Sequence, residues 1–150
     1  MKYFTGIGIL FLVLLWSCST SNKVIIDDIS EEEKLAFNSK EGDTVRIAND
    51  SIEYEIIIID PGFNIWLNRV ARQRGYYTQG FLETRNNLLV TNYNIRVRNP
   101  FRYDPELYPL EIDYQPGIDY GYEVNYLLYN YFIFFQRRNN QQLTGFVPRA

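Results

Sequence analysis

The segment that most limits the fold lies near the end of the chain. From Tyr120 to Arg137 the sequence YGYEVNYLLYNYFIFFQR reads as a helix. At about 100° per residue, Tyr120, Val124, Leu127, Leu128, Tyr131 and Phe135 fall on one side, and Tyr122, Tyr126, Tyr129 and Ile133 on the other. Polar side chains are confined to two narrow seams, Glu123, Asn130 and Arg137 at heptad spacing and Asn125 with Gln136. A helix apolar on two opposite sides is either sandwiched inside the domain or leaves its tyrosine face for a partner. Burial is the preferred reading. An enclosed Glu123 carboxylate then needs a cation, because an isolated buried ion is too costly. Arg137, fourteen residues along the helix, is about 21 Å away. The expected partner is one of Arg69, Arg72, Arg85, Arg96 or Arg98.

What packs around that helix follows from the preceding patterns. Thr44 to Ala48 alternates as a short strand, Asn49-Asp50-Ser51 turns, and Ile52 to Ile59 (IEYEIIII) is the strongest strand signal. Isoleucine on both faces of its second half predicts a central strand, buried on both sides. Asp60-Pro61 predicts a capped helix start, and Phe63, Trp66, Leu67, Val70 and Ala71 carry its apolar stripe as far as Gly75. Thr78 to Arg98 predicts a longer helix, ended by Asn99-Pro100. Residues 101 to 109 read as a loop, and Leu110, Ile112 and Tyr114, alternating with Glu111 and Asp113, predict an edge strand. The fold class is therefore α+β, a small sheet of two or three strands packed with about three helices. With 150 residues there is room for one such domain.

The N-terminus reads as an address. Lys2 precedes the apolar run Gly6 to Trp16, the length of a signal-peptide core and about half of a membrane span. Directly behind it, Leu15-Trp16-Ser17-Cys18 resembles the lipobox of bacterial lipoproteins, which implies cleavage before Cys18 and acylation of its thiol. Several acyl chains would anchor firmly, since each buried methylene contributes about 0.8 kcal/mol. The expected organisation is a signal peptide over 1–17, an acidic flexible tether over 18–42 that folding does not need, the domain over 43–137, and a loose polar tail over 138–150.

Composition removes most familiar chemistry. One cysteine excludes an internal disulfide, and zero histidines exclude the common zinc sites and His-based triads. Charge is distributed in blocks: −7 over residues 18–60, +6 over 61–103, −6 over 104–136 and +3 over 137–150. The arginine-rich middle, with Arg69, Arg72 and Arg74 at its start, offers bidentate contacts to phosphate or an acidic glycan. Its pairing with the acidic block that follows is the preferred reading. Glu111, Asp113, Asp119 and Glu123 are the candidates for general acid/base work, which requires that two of them converge on one substrate in a concave pocket. The oxygen ligands between Asp113 and Glu123 do not meet the calcium-loop pattern.

The stretches YEIIIIDPGFNIWL (Tyr54 to Leu67), RYDPELY (Arg102 to Tyr108) and IDYGYEVNYLLYNYF (Ile118 to Phe132) resemble a family of short Bacteroidota lipoproteins catalogued only as a domain of unknown function. The resemblance implies an exported lipoprotein and brings no activity, substrate or catalytic residue. The expected role is a non-catalytic, lipid-anchored cell-envelope module on the periplasmic side, at the outer membrane. Its partner would be an envelope protein or glycan, met through Tyr122, Tyr126 and Tyr129 or through Arg69, Arg72 and Arg74. No cofactor, metal or nucleic acid enters this expectation. The alternative is a carboxylate-based hydrolase acting on envelope glycans.

Overall fold

A computed structural model describes residues 26–40 and 44–149. The expected signal peptide over 1–17, Cys18 and the tether residues 19–25 and 41–42 lie outside the described residues. Within them the chain forms helix α1 (Glu31–Phe37), strands β1 (Thr44–Asn49) and β2 (Tyr54–Ile59), and helices α2 (Phe63–Arg69), α3 (Gln79–Val97) and α4 (Gly121–Arg138). This is the expected α+β arrangement with a two-stranded sheet and one helix more than expected. The strands pair antiparallel, Ile47 opposite Ile56 and Val45 opposite Ile58.

Helix α4 is the axis of the molecule. Every residue from Val124 to Arg137 is buried except the half-buried Tyr131. Both apolar sides are covered, so the sandwiched alternative holds. Phe134 meets Phe63 and Trp66 of α2 with ring centroids 5.4 and 6.0 Å apart, and Phe132 and Phe135 meet Tyr93 of α3. The tyrosine side is closed by the α2–α3 connection. Tyr126 donates to the Arg72 carbonyl at 2.7 Å, the Gly75 N–H donates to the Tyr122 hydroxyl at 2.6 Å, and Tyr129 packs against Tyr77 and Phe81.

The start of α3 agrees with its sequence signal, Thr78 accepting from the Phe81 N–H as its N-cap. Helix α2 is shorter than its stripe predicts. Gly62 at φ 87° caps it in place of Asp60, whose carboxylate pairs with Arg138 instead.

Three expectations change. The first concerns the tether. Ser30 and Glu33 form a reciprocal capping box that starts α1, and α1 packs on the beginning of α2. Glu33 is enclosed, its side chain 2% exposed, and it receives Arg137 from the end of α4, also 2% exposed. The Arg137 Nε and Nη2 both donate to Glu33, the latter at 2.8 Å, and the Trp66 indole adds a bond at 3.3 Å. Arg137 Nη1 reaches Asp28 at 3.0 Å, and Arg149 closes on the other Asp28 oxygen at 2.7 Å. Burial pushes the Glu33 carboxyl up, but the bonds from Arg137, the Ser30 N–H and Trp66 outweigh it and hold the group below the ordinary carboxylate range.

The second change concerns the tail. Leu143 is buried and its N–H donates to the Gln136 side chain at 2.7 Å, while Arg96 of α3 donates to Gln141 and to the Gln142 carbonyl. The tail is thereby fastened to α3 and α4.

The third concerns the sheet. Residues 110–114 form no strand, because the backbone of Ile112 pairs with a side chain: the Asn94 amide donates to its carbonyl at 2.8 Å and accepts its N–H at 2.9 Å. With no third strand and nothing on the outer face among the described residues, β2 is not central. Ile57 is 57% exposed and Ile59 73%, and only Tyr54, Ile56 and Ile58 turn inward.

Candidate functional site

A concavity follows from the absence of a third strand among the described residues. In an antiparallel pair, alternate residues direct both N–H and C=O away from the partner strand. On β2 these groups border a cleft of about 810 Å³, whose opposite wall is the irregular segment 106–113 and whose floor includes Tyr93, Tyr131 and Phe135. Among the described residues no backbone hydrogen bond crosses from β2 to that segment. Tyr108 packs on Tyr93 and Phe135, whereas Asp113 acts electrostatically on Tyr54 at the start of β2. The two walls therefore run in opposite directions, with Asp60 and Arg138 at one end and Glu53, Tyr54 and Asp113 at the other.

The walls are acidic. Glu53, Glu55, Asp60, Glu106, Glu111 and Asp113 line the cleft, against Arg138 as its single cationic residue. Three of the carboxylates are committed: Asp60 to Arg138, Glu55 to Arg46 at 2.6 Å, and Glu111 to Arg98 at 2.6 Å. Burial pushes the Asp60 carboxyl up against the pull of Arg138, while the Arg98 hydrogen bond holds Glu111 below its usual range. Glu53, Glu106 and Asp113 have no cationic partner among the described residues, Asp113 accepting only from the Gln115 side chain. Burial pushes the Tyr93 hydroxyl up to about 12, so it is protonated in the cleft floor. The Tyr54 hydroxyl is buried without a hydrogen-bond partner.

The four candidate acid/base carboxylates are divided. Glu111 and Asp113 share the cleft, but Glu111 is ionised and gripped by Arg98. Asp119 borders a separate polar pocket of about 340 Å³, where it accepts from Gln79 at 2.7 Å and from the Gly121 N–H at 2.9 Å. Glu123 lies outside both, held by Arg74 through bonds of 3.2, 2.9 and 2.6 Å. That pair corrects the expected one: the seam is open at Glu123, in the first turn of α4, and the partner is the arginine of the α2–α3 connection rather than Arg69, Arg72, Arg85, Arg96 or Arg98. Both side chains are about half exposed, 53% for Arg74 and 51% for Glu123. Among the described residues no three carboxylate or thiol groups come together as a metal site.

Of the residues expected to meet a partner, the three tyrosines and Arg74 have partners within the fold. Tyr126 and Tyr129 are buried and Tyr122 is half-buried against Gly75. Arg74 lies 4.6 Å from the Tyr126 ring centre and Arg72 5.4 Å from that of Tyr76, while Arg69 lies on the surface. The basic middle block pairs with the acidic block after it at Arg74–Glu123 and Arg98–Glu111. Cys18, the expected lipid attachment, is outside the described residues. Sequence reasoning did not find the cleft. IEYEIIII carries its signal only when the sheet is known to stop at β2, because the same four isoleucines read as a buried strand when a third is assumed.

Residues 7–148 match the family described as Family of unknown function (DUF6146). This agrees with the resemblance of the sequence to a domain of unknown function. No curated protein matches the chain, and no solved structure matches it.

Proposed function

The chain belongs to the family of unknown function DUF6146, and on that premise we propose that its mature form is a non-catalytic interaction module of the cell envelope, held to a membrane by lipid on Cys18. One observation carries the interaction reading. The cleft beside β2 is walled by a strand edge with unpaired backbone groups and flanked by exposed Ile57, Ile59 and Leu110, a surface made for a chain rather than for a reaction. Glu111, Glu123 and Asp119 are each occupied in separate places, which favours binding over acid/base work.

The anchor rests on the sequence: one cysteine, directly behind an apolar run too short to span a bilayer. Among the described residues no helix is long and apolar enough to cross a membrane. The cell envelope of a Bacteroidota species, at the outer membrane, is the setting proposed. Cys18→Ala should release the protein from the membrane fraction while leaving the fold intact. A variant that still sediments with membranes at high salt would refute the lipid anchor.

A further inference from the structure

Resting on the interaction reading above, we propose that the cleft binds an extended, basic segment of a partner protein, which adds as a third strand to the free edge of β2. Three independent features of the cleft select that occupant. The edge supplies backbone donors and acceptors at alternate residues along Tyr54–Ile59, about 20 Å of strand at roughly 3.3 Å per residue. The facing segment 106–113 begins in a turn at Glu106 and Leu107, continues as irregular chain opposite in direction to β2, and makes no backbone hydrogen bond to it among the described residues. A strand laid between them has a bonding wall on one side and a polar, carboxylate-bearing wall on the other.

Charge decides between occupants. Glu53, Glu106 and Asp113 carry negative charge into the cleft without a cationic partner among the described residues. A second copy of this chain pairing through its own β2 would bring Glu53 and Glu55 with it and set like charges against these carboxylates. A segment alternating lysine or arginine with apolar residues places its cations on the three free carboxylates. Its apolar side chains cover Ile57, 57% exposed, Ile59, 73% exposed, and Leu110, 76% exposed. Main-chain bonds then give affinity and the carboxylates give selectivity, which is how strand addition divides its labour.

The test uses the full chain in a non-ionic detergent and three capped heptapeptides. One alternates lysine with valine and threonine, a second has glutamate for lysine, and the third is the lysine peptide with a central proline. The lysine peptide is expected to bind at least about tenfold more tightly than either control and to slow amide exchange at alternate residues of β2. Neutralising the cleft by Glu53→Gln, Glu106→Gln and Asp113→Asn together should weaken it by about fivefold, the loss of three exposed charges. Leu110→Arg, a change at an exposed position, should weaken it as well without disturbing the fold. Equal binding of the glutamate peptide, unchanged affinity in the neutralised variant, or protection that falls elsewhere than β2 would overturn the proposal. So would a concentration-dependent dimer that protects β2 with no peptide present, which would make the occupant a second copy. Failure of the peptides leaves membrane attachment untouched, and loss of membrane attachment leaves the peptide result standing, so the two readings fail separately.

Discussion

Glu33 and Glu123 each hold an arginine through more than one hydrogen bond, and their worth differs because one pair is dry and the other wet. Glu33 and Arg137 are both 2% exposed, and their remaining donors and acceptors go to Asp28, Ser30 and Trp66. Removing one charge from such a pair leaves the other buried and uncompensated, which costs about 3 to 5 kcal/mol. Glu33→Gln should therefore lower the unfolding free energy by that amount in a denaturant titration. Glu123→Gln should cost less than about 1 kcal/mol, because at half exposure water replaces most of what Arg74 provides. A large loss at Glu123 or a negligible one at Glu33 would reverse this assignment. The sequence shows that the acidic and basic blocks must meet. It does not show which glutamate is enclosed, because the seam of α4 opens one residue before Val124 and only the packed elements mark that boundary.

At the scale of elements, α1 is the piece whose importance the composition conceals. Its signal was present, as Ser30 three residues before Glu33 and ahead of Leu35-Ala36-Phe37, but the run Glu31-Glu32-Glu33 reads as solvated surface until Arg137 is known to face it. The strand expected over 110–114 failed for the converse reason. Its alternation was real, yet the partner is the Asn94 side-chain amide, which no periodicity reveals. The helices α3 and α4 were legible because their patterns are long, but the buried side of α3 was only half legible: Leu82, Leu89 and Tyr93 are buried as the apolar pattern suggests, whereas Phe81, Leu88 and Ile95 are exposed and Asn86 is buried.

Starting the chain at Thr44 would orphan Arg137 and uncover Trp66, so the thermal midpoint should fall by more than about 10 °C. The α1–α2 contact itself can be tested at Gly62. A Cβ there would stand 1.9 Å from the Ala36 carbonyl oxygen, and φ is 87°. At Gly117, with the same φ of 87°, nothing lies within 4 Å. Gly117→Ala should cost only the left-handed backbone penalty of about 1 to 2 kcal/mol, and Gly62→Ala clearly more. Equal costs would mean that α1 yields freely.

Over the whole molecule the four charge blocks pair in a nested way, the second with the third and the first with the last. Arg74–Glu123 and Arg98–Glu111 are the inner pairs, while Arg137–Glu33, Arg137–Asp28, Arg149–Asp28 and Arg138–Asp60 are the outer ones. The outer set joins the two ends of the folded chain into one closure around the end of α4, which gives acid a specific point of attack. Glu33 is held below its ordinary value, so its stabilisation is fully present above the unfolded value of about 4.3 and is lost as pH falls through the folded one. Glu111 acts in the same direction. Asp60 acts in the opposite one: its folded value is raised, so its charged form is a cost that protonation relieves. Only the Glu33 pair is enclosed, and it governs the closure. Lowering the pH from about 7 to about 3 should therefore strip amide-exchange protection from α1 and from residues 141–147 together, before α3 and α4 open. In Glu33→Gln that protection should already be low at neutral pH and should hardly change across the window. If α1 opens in acid while 141–147 stays protected, the ends are held separately, and Arg137 serves one of them alone.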